Sequence, residues 1–91
     1  MIGKRVRISS DTRKLIHYIS VLYESSDMFL REVEGYYGQD YVKENGPVRA
    51  VADYLKLIVK GRVWKVREDE IVHLAEALLS YGDVMMAGGW A

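Results

Sequence analysis

A row of large apolar side chains that repeats every seven residues constrains the fold of this chain more than any other feature. Two adjacent rows share the spacing: Leu15, Leu22, Phe29 and Tyr36, and Ile16, Tyr23, Leu30 and Tyr37. Seven residues make about two helical turns, so both rows lie on one helix face. The phase does not change at Ser25 and Ser26, and we therefore expect one long helix over residues 11–37. A break into two helices at these serines is the alternative.

The remainder of the chain indicates shorter elements. Asn45-Gly46-Pro47 is a strong break, after which residues 48–60 show the three- and four-residue spacing of a helix. Apolar and charged residues alternate over Lys4–Ser9 and Arg62–Arg67, the pattern of two strands that can pair. A last helix begins at the acidic residues 68–70. We therefore predict an α+β, mainly helical fold with one long N-terminal helix, two or more shorter helices and a small two-stranded ribbon.

Length and composition favour a single domain over residues 1–91. A chain of 91 residues with 49% hydrophobic residues can fill one modest core, and it has no cysteine for disulfides. Residues 83–91 are apolar but interrupted by glycine, and we expect a mobile tail there. The basic N-terminus lacks the apolar run of a signal peptide, and no stretch approaches the length of a membrane span. We therefore expect a cytoplasmic protein without membrane contact.

Residue types that usually carry catalysis or metal binding are sparse. His17 and His73 are far apart in sequence, and without cysteine they do not complete a typical zinc site. No serine lies in a Gly-x-Ser-x-Gly elbow, and the closest glycine pair, Gly35 and Gly38, falls at the end of a helix instead of between a strand and a helix. We therefore expect no metal site, no cofactor and no enzymatic activity.

Charge is segregated along the chain although the net charge is zero, because basic and acidic blocks alternate. Four basic residues share one face of the predicted ribbon and form a candidate anion-binding site: Arg5, Arg7, Lys65 and Arg67. A basic strand that leads into a capped helix resembles the ribbon–helix–helix class of DNA-binding proteins, over the first third of the chain; the unbroken helix phase departs from that class. The resemblance implies a nucleic-acid-binding (transcriptional) regulator as the alternative function. A solvated strand edge protected by its charges is the simpler interpretation.

Tyrosines set among glycines and acidic residues over positions 32–41 have the composition of a recognition surface. The candidate partner-binding residues are Glu32, Glu34, Tyr37, Asp40 and Tyr41. We expect Tyr36 to complete the core row. An acidic surface of this kind suits a basic groove on a protein partner. The sequence therefore favours a non-catalytic protein-binding regulator or inhibitor, of the small type that phages and mobile elements encode.

A second row beside the core row predicts a homodimer. Tyr18, Val21, Ser25 and Met28 follow one another at steps of three, four and three residues, which places them on an adjoining face of the expected long helix. A symmetry mate is the commonest cover for such a face. The alternative is that the tail covers this row through Met85, Met86 and Trp90.

Overall fold

The computed structural model describes residues 9–80, and these form five α-helices. They are α1 (Ser10–Leu22), α2 (Ser26–Tyr37), α3 (Gln39–Asn45), α4 (Pro47–Arg62) and α5 (Glu68–Ser80). Over this part of the chain there is no β-strand. The predicted α+β fold with one long N-terminal helix and a two-stranded ribbon is therefore wrong, and the described domain is all-helical. The strand expected before Ser9 and the tail 83–91 lie outside the described residues.

The expected long helix is two helices because Ser25 begins a new one. Tyr23 and Ser25 have extended backbones, and the Ser25 side chain accepts the backbone N–H of Met28 at 3.3 Å. A serine in this position satisfies an N–H that has no partner inside the helix, and so favours a helix start. The apolar phase survives the break because both helices turn their apolar faces to the same core. Leu15 and Phe29 are both buried, whereas Leu22, between them in the row, is 51% exposed.

The core lies between α4 and α5 and is covered by α1 and α2. Its largest completely or almost completely buried apolar side chains are Leu15, Ile19, Phe29, Val33, Val51, Leu55, Leu74 and Leu78. Gly38 and Gly46 make the sharp turns on either side of α3, with φ of 93° and 89°. Residues with a Cβ atom rarely adopt these angles, so glycine is needed at both corners.

The segment 62–67 is not the predicted strand, and its backbone donors have other partners. Arg62 still belongs to α4, and Val63 ends that helix in a left-handed conformation with φ of 59°. The Lys65 N–H donates to Asp11 Oδ2 at 2.7 Å, and the Arg67 N–H donates to Glu70 Oε2 at 3.2 Å. Carboxylates therefore accept the N–H groups that a neighbouring strand would otherwise accept. Trp64 and Val66, whose alternation indicated a strand, are half-buried against the core.

The carboxylate of Glu70 is completely buried and caps two helices. Its Oε1 accepts the N–H of Ser9 at 2.6 Å, and its Oε2 accepts the Ser9 hydroxyl at 3.3 Å. Ser9 is itself the N-cap of α1, accepting the N–H of Thr12 at 3.2 Å. The hydrogen bond from the Arg67 N–H to Glu70 is one of the two bonds of a capping box at the start of α5. Burial favours the neutral acid, but the hydrogen bonds from Ser9 and Arg67 outweigh it and hold the pKa of Glu70 below its usual value.

We expect Glu70→Gln to lower the free energy of unfolding by about 2–3 kcal/mol, because its amide group cannot accept all the N–H groups that Glu70 accepts. Glu76→Gln is the matched control, since Glu76 is exposed on the same helix, and it should change stability by less than about 0.5 kcal/mol. Urea unfolding followed by circular dichroism measures both. Equal stability of the two variants would contradict the capping role of Glu70.

The same carboxylate gives an expected pH dependence. Its pKa is lower in the folded protein than the ordinary value of 4.5 that applies to the unfolded chain. The stabilisation is therefore complete above that value and is lost as the pH falls below it. Unfolding of the wild type should become easier over this acid range, and Glu70→Gln should flatten this part of the stability curve. An unchanged slope in the variant would assign the acid sensitivity to other carboxylates.

Candidate functional site

Four tyrosines from α2, α3 and α4 contact one another at the protein surface, and we call them the tyrosine surface: Tyr36, Tyr37, Tyr41 and Tyr54. The rings of Tyr37 and Tyr41 are stacked, 4.6 Å apart at 17°. Tyr36 meets Tyr37 edge-on at 4.9 Å and Tyr54 at 5.4 Å. The turn at Gly38 allows α3 to fold back so that the rings of Tyr37 and Tyr41 lie face to face.

Contacts with the core hold this surface in place. The Tyr41 hydroxyl donates to Asp53 Oδ2 at 2.5 Å, and Asp53 also pairs with Arg49 Nε at 3.5 Å. Tyr54 packs edge-on against the buried ring of Phe29 at 5.6 Å. These partners restrict the rings before any ligand binds, so that little side-chain entropy remains to be lost on binding.

The phenols of Tyr37, Tyr41 and Tyr54 stay protonated well above neutral pH. Burial, followed by the charge of Asp53, raises the pKa of Tyr37 to about 12. The hydrogen bond to Asp53 is the main cause of the raised pKa of Tyr41, and burial is the main cause for Tyr54. Near neutral pH these three phenols are therefore neutral and lie next to carboxylates.

The structure brings only part of the predicted partner-binding set into contact. Tyr37 and Tyr41 stack directly. Glu32 is exposed on α2, close enough for its charge to raise the pKa of Tyr54. Glu34 is half-buried on α2, and Asp40 is exposed in the first turn of α3. These three carboxylates lie on the same two helices as the stacked rings.

Sequence reasoning missed two members of the tyrosine surface. Tyr36 was expected in the core but is 62% exposed, because the core ends before the last turn of α2. Tyr54 was not singled out. Its position three residues after the buried Val51 and four before Ile58 places it at the edge of the apolar face of α4, and this spacing was the signal that could have found it.

The candidate anion-binding residues do not form a ribbon face. Arg5 and Arg7 lie outside the described residues. Lys65 and Arg67 have exposed side chains on the irregular segment between α4 and α5. The Arg67 Nε lies 3.2 Å from Asp69 Oδ1 and 3.7 Å from Glu70 Oε2, so its charge is used in pairing with the first turn of α5.

The predicted dimer residues are separated by the break between α1 and α2. Tyr18 and Val21 line an open groove of about 490 Å³ beside Trp64, whereas Met28 lies on α2 and is 44% exposed. The single helix face on which the three were placed is therefore absent. The dimer itself stays a prediction.

Two features are absent from residues 9–80: a cluster of metal-ligating side chains and a helix that could cross a membrane. Within this range no group of three or more histidine, aspartate or glutamate side chains is arranged to hold a metal ion. No helix in the same range is long and apolar enough to cross a bilayer. Comparison of the chain with protein families, with curated proteins and with solved structures gave no match.

We expect four of the tyrosines to lose their protons late as the pH rises. Tyr23 and Tyr37 have pKa values of about 12, and those of Tyr41 and Tyr54 are also raised above 10.0. The unfolded chain loses phenol protons near the ordinary value, so the folded state should lose stability as the pH rises above it towards the raised values. Phenolate absorbance measured against pH follows this directly. Tyr37→Phe should remove one late-titrating group, and a single transition near the ordinary value would contradict the packing described here.

Proposed function

We propose that this protein is a non-catalytic, protein-binding regulator or inhibitor that acts through the tyrosine surface. The observation that carries the proposal is Tyr36: it is 62% exposed although it contacts the rings of Tyr37 and Tyr54. A large aromatic ring held in the open is typical of the residues that dominate binding energy at protein interfaces. The proposed regulator is of the small type that phages and mobile elements encode, and it acts in the cytoplasm.

The partner that suits this surface carries a basic groove. Glu32 and Asp40 are exposed and attract lysine and arginine side chains, and the faces of tyrosine rings bind the same cations. The Tyr36 ring is the accessible anchor for such contacts, since Tyr41 is already engaged with Asp53. An inhibitor of this type acts by covering the partner's groove, which needs complementary shape and charge but no catalytic group.

Binding to nucleic acid through a ribbon that pairs two segments of one chain is not proposed, although the break at Ser25 removes the departure from the ribbon–helix–helix class. The second strand of that ribbon is not formed by residues 62–67, and the charge of Arg67 is paired with α5. A titration with generic duplex DNA separates the two functions. Binding that falls steeply with salt concentration would favour a phosphate-binding protein and contradict the proposal.

A homodimer is a secondary part of the proposal. Leu22 and Met28 lie on either side of the turn between α1 and α2 and are 51% and 44% exposed. We expect light scattering at micromolar concentrations to give a dimer, and Leu22→Glu together with Met28→Glu to give a monomer, because the introduced charges would be buried without partners. A wild type that is monomeric at tens of micromolar contradicts the dimer.

We expect Tyr36→Ala to weaken partner binding by about tenfold or more without a loss of thermal stability, since the ring is mostly exposed. Wild type, Tyr36→Ala and Leu57→Ala are immobilised, and proteins captured from an extract of the source cell are quantified by mass spectrometry. Leu57 is the matched control because it is an exposed apolar residue outside the tyrosine surface.

The expected partner is a basic protein that is retained by the wild type and by Leu57→Ala and is depleted by Tyr36→Ala. Glu32→Lys should deplete it as well, by reversing an attractive charge. The captured protein is then purified and titrated against each variant. Equal affinity for all variants would rule out the tyrosine surface as the binding site.

A further inference from the structure

A second surface, distinct from the tyrosine surface, has the form of a docking groove. It lies between α1 and the segment that follows α4, and we call it the α1 groove. Its lining residues are Arg13, Lys14, His17, Tyr18, Val21 and Trp64, around an open volume of about 490 Å³. The residues from α1 recur at one- and three-residue steps along one helix face.

The floor of the α1 groove is apolar and unusually open. Val21 is 69% exposed, which is high for a branched aliphatic side chain beside two aromatic rings. Trp64 is half-buried and meets Tyr18 edge-on, with ring centroids 6.1 Å apart. An apolar side chain inserted between Val21 and Trp64 would remove apolar area from water on both sides.

The rim of the α1 groove is basic. Arg13, Lys14 and His17 are exposed along α1, and the Arg62 guanidinium lies 4.4 Å from the centre of the Tyr18 ring. The nearest acid on α1 is Asp11, 3.5 Å from Lys14 Nζ and also the acceptor for the Lys65 N–H. No ion pair within residues 9–80 involves Arg13 or Arg62. The rim therefore has cations available for an acidic ligand.

The arrangement of the aromatic rings favours a protein segment over nucleic acid. Single-stranded nucleic acid binds through bases stacked on open ring faces. Here one face of Tyr18 is covered by Arg62 and the ring also meets Trp64 edge-on, while the most exposed apolar group is the aliphatic Val21. We propose that the α1 groove binds an acidic amphipathic helix of a protein partner, with an apolar side chain between Val21 and Trp64 and carboxylates on Arg13 and Arg62. This inference does not depend on the proposed function of the tyrosine surface.

The test uses the fluorescence of Trp64 in the full-length chain. The sequence contains two tryptophans, so Trp90→Phe leaves Trp64 as the only one. The probe is a synthetic amphipathic helical peptide with leucine and phenylalanine on one face and glutamate on the other. The comparison ligands are the same peptide with lysine in place of glutamate and an oligothymidylate. The acidic peptide should shift Trp64 emission to shorter wavelength and saturate, and its affinity should fall with added salt.

Substitutions inside and outside the α1 groove test whether the acidic peptide binds there. Val21→Glu and Arg13→Glu should each weaken binding of the acidic peptide by about tenfold, which corresponds to about 1.4 kcal/mol. Leu57→Glu and Lys43→Glu make the same kinds of change at exposed positions on α4 and α3 and should leave affinity within about twofold. Thermal melting checks that each variant is folded. Because Arg13 is exposed, its variant decides the outcome even if Val21→Glu fails to fold.

Several results would overturn the proposal. The acidic peptide could fail to bind, or bind no better than the lysine peptide. Saturable binding of oligothymidylate alone would make the groove a nucleic-acid site. Conversion of a dimer to a monomer by Val21→Glu in light scattering would make a second copy the occupant. Tighter peptide binding by Met85→Ser with Met86→Ser would instead identify the chain's own C-terminal residues as the occupant.

Discussion

The buried carboxylate of Glu70 is the interaction on which the rest of the described structure depends. It joins Ser9 to the start of α5 across 61 positions of sequence. Burying a charged group is unfavourable unless its oxygens are fully hydrogen-bonded, and here two helix N-termini supply the donors together with their dipoles. Because α1 begins at this point, its side runs along residues 64–67 and Tyr18 meets Trp64. Both walls of the α1 groove are consequently positioned by a residue that does not line it.

Local signals in the sequence predicted some helix boundaries well and others wrongly. The start of α4 follows from Gly46 and Pro47, and the start of α5 from its acidic first turn. The break at Ser25 was only the alternative to one long helix, because a seven-residue spacing is preserved when two successive helices pack on one core. The segment 62–67 was mistaken for a strand because alternation records which side chains face the core, whereas the backbone partner of Lys65 is Asp11, 54 positions away. No local pattern contains that contact.

In the candidate site too, some features follow from local sequence and others depend on contacts between distant parts of the chain. Tyr37 and Tyr41 lie on either side of one glycine, so composition and spacing were enough to single out both residues, but not to predict that their rings stack. Tyr54 reaches the surface from α4 and Tyr36 is excluded from the core, and both facts depend on where helices from different parts of the chain meet. The hydrogen bond from Tyr41 to Asp53 likewise depends on where α3 and α4 meet. Sequence therefore indicated the character of this surface, and tertiary packing determined which ring is presented.

Helix α3 has a further property that follows from its position between two glycines. It is seven residues long, it contains no fully buried residue, and both of its ends are turns with positive φ at Gly38 and Gly46. Its attachment consists mainly of the half-buried side chains of Tyr41 and Val42 and the bond to Asp53. Since α3 has fewer buried side chains than the other helices, we expect its local opening to cost less free energy than opening of the core helices. The backbone N–H groups of α3 should therefore exchange with solvent faster than those of α4 and α5, while the stacked rings and the bond to Asp53 are the contacts that oppose this opening.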